Sequence, residues 1–308
     1  MGLRREILQG WDLDTVAQVA SGAGAYGSPQ ALQQLRAYTG GLPLYVDSAI
    51  AIAKADYDGN IETLCADLAL QANVAETASG GLSVARVYEG YDAVTQNALA
   101  VVSLADTGLT QEEVVRLLQT TLKLSPGGAA AVIKKIQATG TVEVFGAKTL
   151  KVHDAVRALG LRHLELMGEP VVTAALLTLK ELLIQGMEKN RDTSRIALLI
   201  QVFIKLNDVE PLIELAGEET FYEMGILVDV ASSLASAVSS GSLDPGQTFW
   251  ALDGLVFSLM RDSRYDEASS HLSTMAQILD AHGFEFREHL SLAMKKSYLQ
   301  HTSVMKKM

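Results

Sequence analysis

The sequence predicts a mainly α protein in three consecutive parts: a helical subdomain at 1–79, a winged helix with a small β-hairpin at 80–160, and a helical-repeat, tetratricopeptide-like array at 161–308. Three observations carry that expectation. Apolar residues recur at helical spacing along most of the chain. Glycine and proline stand where helices stop and start. Strand-like alternation is confined to one stretch, Thr141 to Val152.

In the first part, Asp12-Leu13-Asp14 places acidic groups where a helix N-terminus favours them. Gly22, Gly24 and Gly27 interrupt that helix, and Ser28-Pro29 opens the next with an N-cap and a first-turn proline. This second helix ends at Thr39-Gly40-Gly41. Pro43 then starts a third, running through Tyr45, Val46, Ala49, Ile50 and Ala53.

The second part has a different rhythm. A long helix is expected over about 84–104. Thr110 and Glu113 then form a capping box ahead of Val114, Leu117 and Leu118. A third helix runs from Ser125-Pro126 to about Ala138. Thr141-Val142-Glu143-Val144-Phe145 and Lys148-Thr149-Leu150-Lys151-Val152 read as two strands joined by a tight turn at Gly146-Ala147. Three helices followed by a hairpin make a winged helix.

The third part reads as helices at about 169–188, 192–206, 208–216, 219–239, 247–261, 265–281 and 284–300. Leu252, Leu255, Ala268 and Leu272 sit at the spacing of a degenerate tetratricopeptide unit, although its signature Trp, Gly, Tyr and Pro positions are not matched. Stacked helix pairs form a continuous groove suited to a peptide or partner helix.

Composition fits a globular chain of more than one domain: 308 residues, 48% hydrophobic and 20% charged. No apolar run of about 18 residues stands out, and Met1 to Glu6 has no apolar signal core, so a soluble cytoplasmic protein with no membrane association is expected. Cys65, the single cysteine, excludes an internal disulfide and argues against a thiolate metal site. Its leucine neighbours suggest a buried helix position. The net charge of −11 is uneven, with 4 basic and 9 acidic groups in 1–79, 8 and 7 in 80–160, and 13 and 20 in 161–308. That balance opposes nonspecific nucleic-acid binding.

Two strings carry a resemblance. Gly40-Gly41-Leu42-Pro43-Leu44, followed after the winged-helix segment by Lys151-Val152-His153-Asp154-Ala155-Val156-Arg157, resembles the back half of a STAND-class ATPase, whose best-known arrangement is the NB-ARC module. The family's Gly-x-x-x-x-Gly-Lys-Ser/Thr loop does not occur in these residues. Gly146-Ala147-Lys148-Thr149 approaches it but sits in the β-like stretch and reads as a turn. The expectation is therefore the regulatory and sensor part of a nucleotide switch without its P-loop domain, no catalytic residue in this chain, and a parent protein that is an ATPase.

The resemblance implies that Pro43, with Leu42 and Leu44, packs against the base and ribose of a nucleotide, and that His153 reaches the β-phosphate of ADP. ADP or ATP would bind only with the P-loop domain present. Each residue also has a plain reading: Pro43 as a helix-start proline and His153 as a structural hydrogen-bonding residue. Asp154 is expected to cap the following helix. The other histidines, His163, His271, His282, His289 and His301, lack metal-ligand spacing, and no metal site is expected.

For partners, a protein or peptide at 161–308 is expected, with a homo-oligomer on activation as the resemblance implies. The candidate reading helix, 127–137, offers two lysines and one glutamine among small and apolar residues, thin equipment for DNA. The alternatives are a winged-helix transcription regulator fragment and a helical-repeat interaction scaffold.

Overall fold

The computed structural model describes residues 10–72, 88–138, 140–145, 149–187, 192–218, 222 and 227–305. The chain divides into two compact units, Met1–Leu179 and Lys180–Met308.

The first unit opens with four helices: α1 (Leu13–Gly22), α2 (Pro29–Thr39), α3 (Pro43–Asp56) and α4 (Ile61–Ala72). Their apolar faces share one core that includes Val16, Leu35, Val46, Ile61, Leu64 and Leu68. The caps explain the boundaries. Asp12 Oδ1 accepts from the Thr15 amide at 2.8 Å, and Ser28 Oγ from the Ala31 amide at 3.2 Å. Tyr26 and Asn60 form a parallel bridge that ties the α1–α2 loop to the α3–α4 loop. Cys65 is buried, as expected, with its thiol directed to the Ala31 carbonyl at 3.6 Å.

The rest of this unit holds α5 (Ala93–Val102), β1 (Leu109–Thr110), α6 (Gln111–Leu122), α7 (Pro126–Ala138), β2 (Val142–Phe145), β3 (Thr149–Val152) and α8 (Asp154–Leu166). The sheet is antiparallel in the order β1-β3-β2. Leu109 lies opposite Leu150 and Val142 opposite Val152, and all four are buried. This is the winged-helix arrangement expected, with one addition. Leu109–Thr110 pairs as a short third strand because β3 offers it a free edge, while Thr110 still closes the capping box with Glu113.

The first helix of the winged helix is shorter than the 84–104 expected. Asp92 caps it through the Thr95 amide, so it begins at Ala93; residues 84–87 lie outside those described. So do residues 146–148, where the tight turn was expected.

Helix α9 (Glu169–Met187) holds the boundary between the units. Against the expectation of no long apolar run, it is long and apolar enough to cross a membrane, with a mean hydropathy of 1.3. Its apolar pattern is broken by Lys180, whose ammonium pairs with Asp208 at 2.5 Å.

The second unit continues with α10 (Thr193–Leu206), α11 (Val209–Ala216), α12 (Leu227–Ser240), α13 (Pro245–Arg261), α14 (Tyr265–Ala281) and α15 (Phe286–Met305). α13 packs against α11, α12, α14 and α15, the pattern of stacked helix pairs. Leu252, Leu255, Ala268 and Leu272 are all buried, and Ser263 turns the α13–α14 corner at a φ of 60°. The expected 219–239 helix is described from Leu227 to Ser240; residues 219–221 and 223–226 are outside the described set.

Candidate functional site

The Gly-Gly-Leu-Pro-Leu segment is a clamped helix joint. Gly40 and Gly41 adopt φ of 62° and 69°, which favours glycine at both. The Trp11 amide donates to the Gly41 carbonyl at 2.7 Å, and Arg36 Nε donates to the Trp11 carbonyl at 2.9 Å. A Cβ on Gly41 would lie 2.5 Å from the Trp11 oxygen. The two glycines thus let the chain segment at Gly10-Trp11 lie flush on the joint. Leu42 precedes α3 with an exposed side chain, Pro43 is the first helical residue, also exposed, and Leu44 occupies the first turn. The proline does what a helix-start proline does, and its ring faces outward, free for a contact.

His153, and not Asp154, caps α8. Its Nδ1 accepts from the Ala155 amide at 3.4 Å, and its backbone amide donates to the Thr141 carbonyl at 3.1 Å. The Nε2 lies 3.7 Å from Glu143 Oε1 on β2, longer than a hydrogen bond. An Nδ1 that accepts leaves the proton of the neutral ring on Nε2, so the half-exposed ring presents an N–H donor. Asp154 stands one residue too late to cap. It sits in the first turn, where a carboxylate is favoured, 3.3 Å from Lys151. Pro43 lies on the surface of the α1–α4 bundle at the start of α3, and His153 at the end of the central strand β3.

The candidate reading helix, α7, buries Ala129, Val132, Ile133 and Ile136. Lys135 is engaged by Asp92 at 2.5 Å and lies over the Tyr91 ring. That ion pair and the Thr95 bonds hold the Asp92 carboxyl well below the usual carboxylate range. His163 is structural: its Nε2 is 2.8 Å from Asn97 Oδ1, and its ring meets Tyr88 edge-on. Burial pushes the Tyr88 phenol up to about 12. Among the described residues, no group of three or more His, Cys, Asp or Glu could hold a metal ion.

A feature not expected from the sequence lies in the second unit. A groove of about 490 Å³ opens between α11, α13 and the start of α15. Glu210, Ile213 and Glu214 of α11 line one wall, at the spacing that puts residues on a single helix face, and Gly217 and Glu218 continue it just past the helix end. Trp250 forms part of the opposite side, with the guanidinium of Arg287 over its ring at 4.5 Å. Asp253 lies below, buried, and held by Lys295 and Ser291 at 2.5 Å each. The three glutamates were visible in the sequence as an i, i+4, i+8 series. Trp250 and Arg287, 37 positions apart, become neighbours through helix stacking.

Comparison of the chain with protein-family models and with curated proteins finds no match. Among solved structures it is similar to a Signal Transduction ATPase with Numerous Domains protein from Pyrococcus horikoshii that has a tetratricopeptide repeat sensor. The identity is 14% and the TM-score 0.45, over 96% of this chain and 45% of that one. The chain therefore spans less than half the length of that protein.

Proposed function

We propose that this chain is the regulatory and sensor part of a nucleotide-driven switch, with the second unit binding a protein or peptide partner. The observation that carries the reading is the groove between α11, α13 and α15, where carboxylates and an indole line space of peptide-binding size. The order of modules supports the switch: a helical bundle jointed at Gly-Leu-Pro-Leu, then a winged helix whose His-Asp pair opens α8. On this reading Pro43 and His153 contact ADP or ATP when a P-loop domain is joined to these modules, with Leu42 and Leu44 beside Pro43. Homo-oligomerisation would follow nucleotide exchange, and a soluble cytoplasmic setting fits these roles.

A transcription regulator is the rival reading. The packing of α7 disfavours it, since the helix buries its apolar residues and Lys135 is engaged by Asp92. The experiment is affinity capture with the full chain from its source cells, with mass spectrometry to identify what is held. It is paired with a gel-shift on duplex DNA at physiological salt. A defined protein lost on Glu214→Lys, and no DNA shift, is the expected result. DNA shifted at that salt, with no groove-dependent protein, would overturn the reading.

A further inference from the structure

The groove already holds one guanidinium, and the manner in which it does so identifies its ligand. Arg287 is exposed and sits in the first turn of α15, where the helix dipole disfavours a cation. It is kept there by the Trp250 face, with its ring centroid 4.5 Å away, and lines the same groove as the carboxylates of the other wall without pairing with them. Glu210, Glu214 and Glu218 are exposed and have no ion pair among the described residues. The groove's negative charge is thus incompletely balanced.

An indole face beside unpaired carboxylates suits arginine better than lysine. The guanidinium is planar and weakly hydrated, so it can stack on the ring while its N–H edge reaches carboxylate oxygens. An ammonium keeps its water and gains less from the ring. We propose that the groove takes an arginine side chain of a partner peptide, which displaces Arg287 from the Trp250 face. This rests on the partner-binding reading above. Arg287 is then an internal competitor, which lowers the apparent affinity for the partner by the share of time it occupies the site.

The competition gives the proposal a sign that a merely structural arginine would not have. The test uses the full chain with Trp11→Phe, which leaves Trp250 as the only indole, one of two in the sequence. Hexa-arginine and hexa-lysine peptides are the probes, followed by Trp250 emission and by calorimetry. Hexa-arginine should bind several-fold more tightly than hexa-lysine. Arg287→Ala should tighten hexa-arginine binding by about threefold, the order of one exposed cation–π contact. Calorimetry on Trp250→Leu should show hexa-arginine weakened by about fivefold and hexa-lysine nearly unchanged. Glu210→Gln with Glu214→Gln should weaken both probes and flatten their salt dependence. Equal affinities for the two peptides, or Arg287→Ala binding no better than the parent, would overturn the proposal. Should Trp250→Leu lose its helical circular dichroism, the surface variant Arg287→Ala decides alone. A groove-dependent cellular partner without any arginine preference would sink this assignment and leave the sensor reading standing. The expected peptide behaviour without such a partner would do the reverse.

Discussion

The α11–α13 contact that shapes the groove depends on the missing side chain of Gly254. A Cβ built there would lie 2.5 Å from the Ala216 Cβ, where carbon atoms prefer about 3.5–4.0 Å. Gly254→Ala must therefore push α11 and α13 apart by about 1 Å to restore that separation. Two effects oppose each other. Alanine is better than glycine in a helix interior by about 1 kcal/mol, while forcing a methyl into a packed contact costs about 1–3 kcal/mol. The obstacle is an Ala216 methyl fixed to its backbone, with no rotamer to move, so the cost falls in the upper part of that range. The expected net is a loss of about 1–2 kcal/mol.

The assay is urea unfolding of the full chain with Trp11→Phe, read by Trp250 emission. Adding Ala216→Gly to Gly254→Ala moves the methyl from one helix to the other and should restore most of the lost stability, a favourable coupling of about 2 kcal/mol. Stabilisation by Gly254→Ala alone would mean that the helices part freely. A double variant worse than the single would mean that the contact is not where the cost arises. Either result refutes the reasoning, and with it the claim that this close approach defines the groove wall.

Burial, reinforced by Glu62, raises the Cys65 thiol from 9.0 to about 11. The unfolded chain therefore loses that proton first, and between roughly pH 9 and 11 stability should fall by about 1.4 kcal/mol per unit at most. Comparison with Cys65→Ala, which should lack this slope, checks it, and iodoacetamide should leave the native thiol unmodified at pH 8. Lys295→Met strips the buried Asp253 carboxylate of its cation and should cost about 3 kcal/mol in urea unfolding; a loss under about 1 kcal/mol would show the carboxylate to be otherwise compensated. The chain alone should release no phosphate from ATP above a buffer control, because neither its helix joint nor His153 supplies a lysine-bearing phosphate loop. Release abolished by one substitution in this chain would contradict that.

Local chemistry was legible in the sequence where a residue acts on its immediate neighbours. Ser28, Gly40 and Thr110 announce helix ends within a residue or two, because caps and left-handed turns are satisfied by atoms close along the chain. The same locality misled at Asp154. A carboxylate is a good cap by type, but the strand β3 ends at Val152 and hands the cap position to His153. It also hid β1, because two residues show no period, and only the edge of β3, 40 positions away, makes Leu109 and Thr110 a strand. The candidate groove was harder still. Glutamates on one face of a short helix and just past its end read as a solvated surface until another helix supplies the opposite wall. Trp250 reads as core until Arg287 is placed on it. What gives those five residues a common chemistry is the stacking of α11, α13 and α15, set by close contacts such as Gly254 on Ala216. A change that leaves all five in place but alters that contact should therefore move arginine recognition as much as stability. Gly254→Ala should weaken hexa-arginine binding, and Ala216→Gly in the same chain should restore it. Binding indifferent to both would show that the carboxylates attract the peptide from a distance without a shaped site.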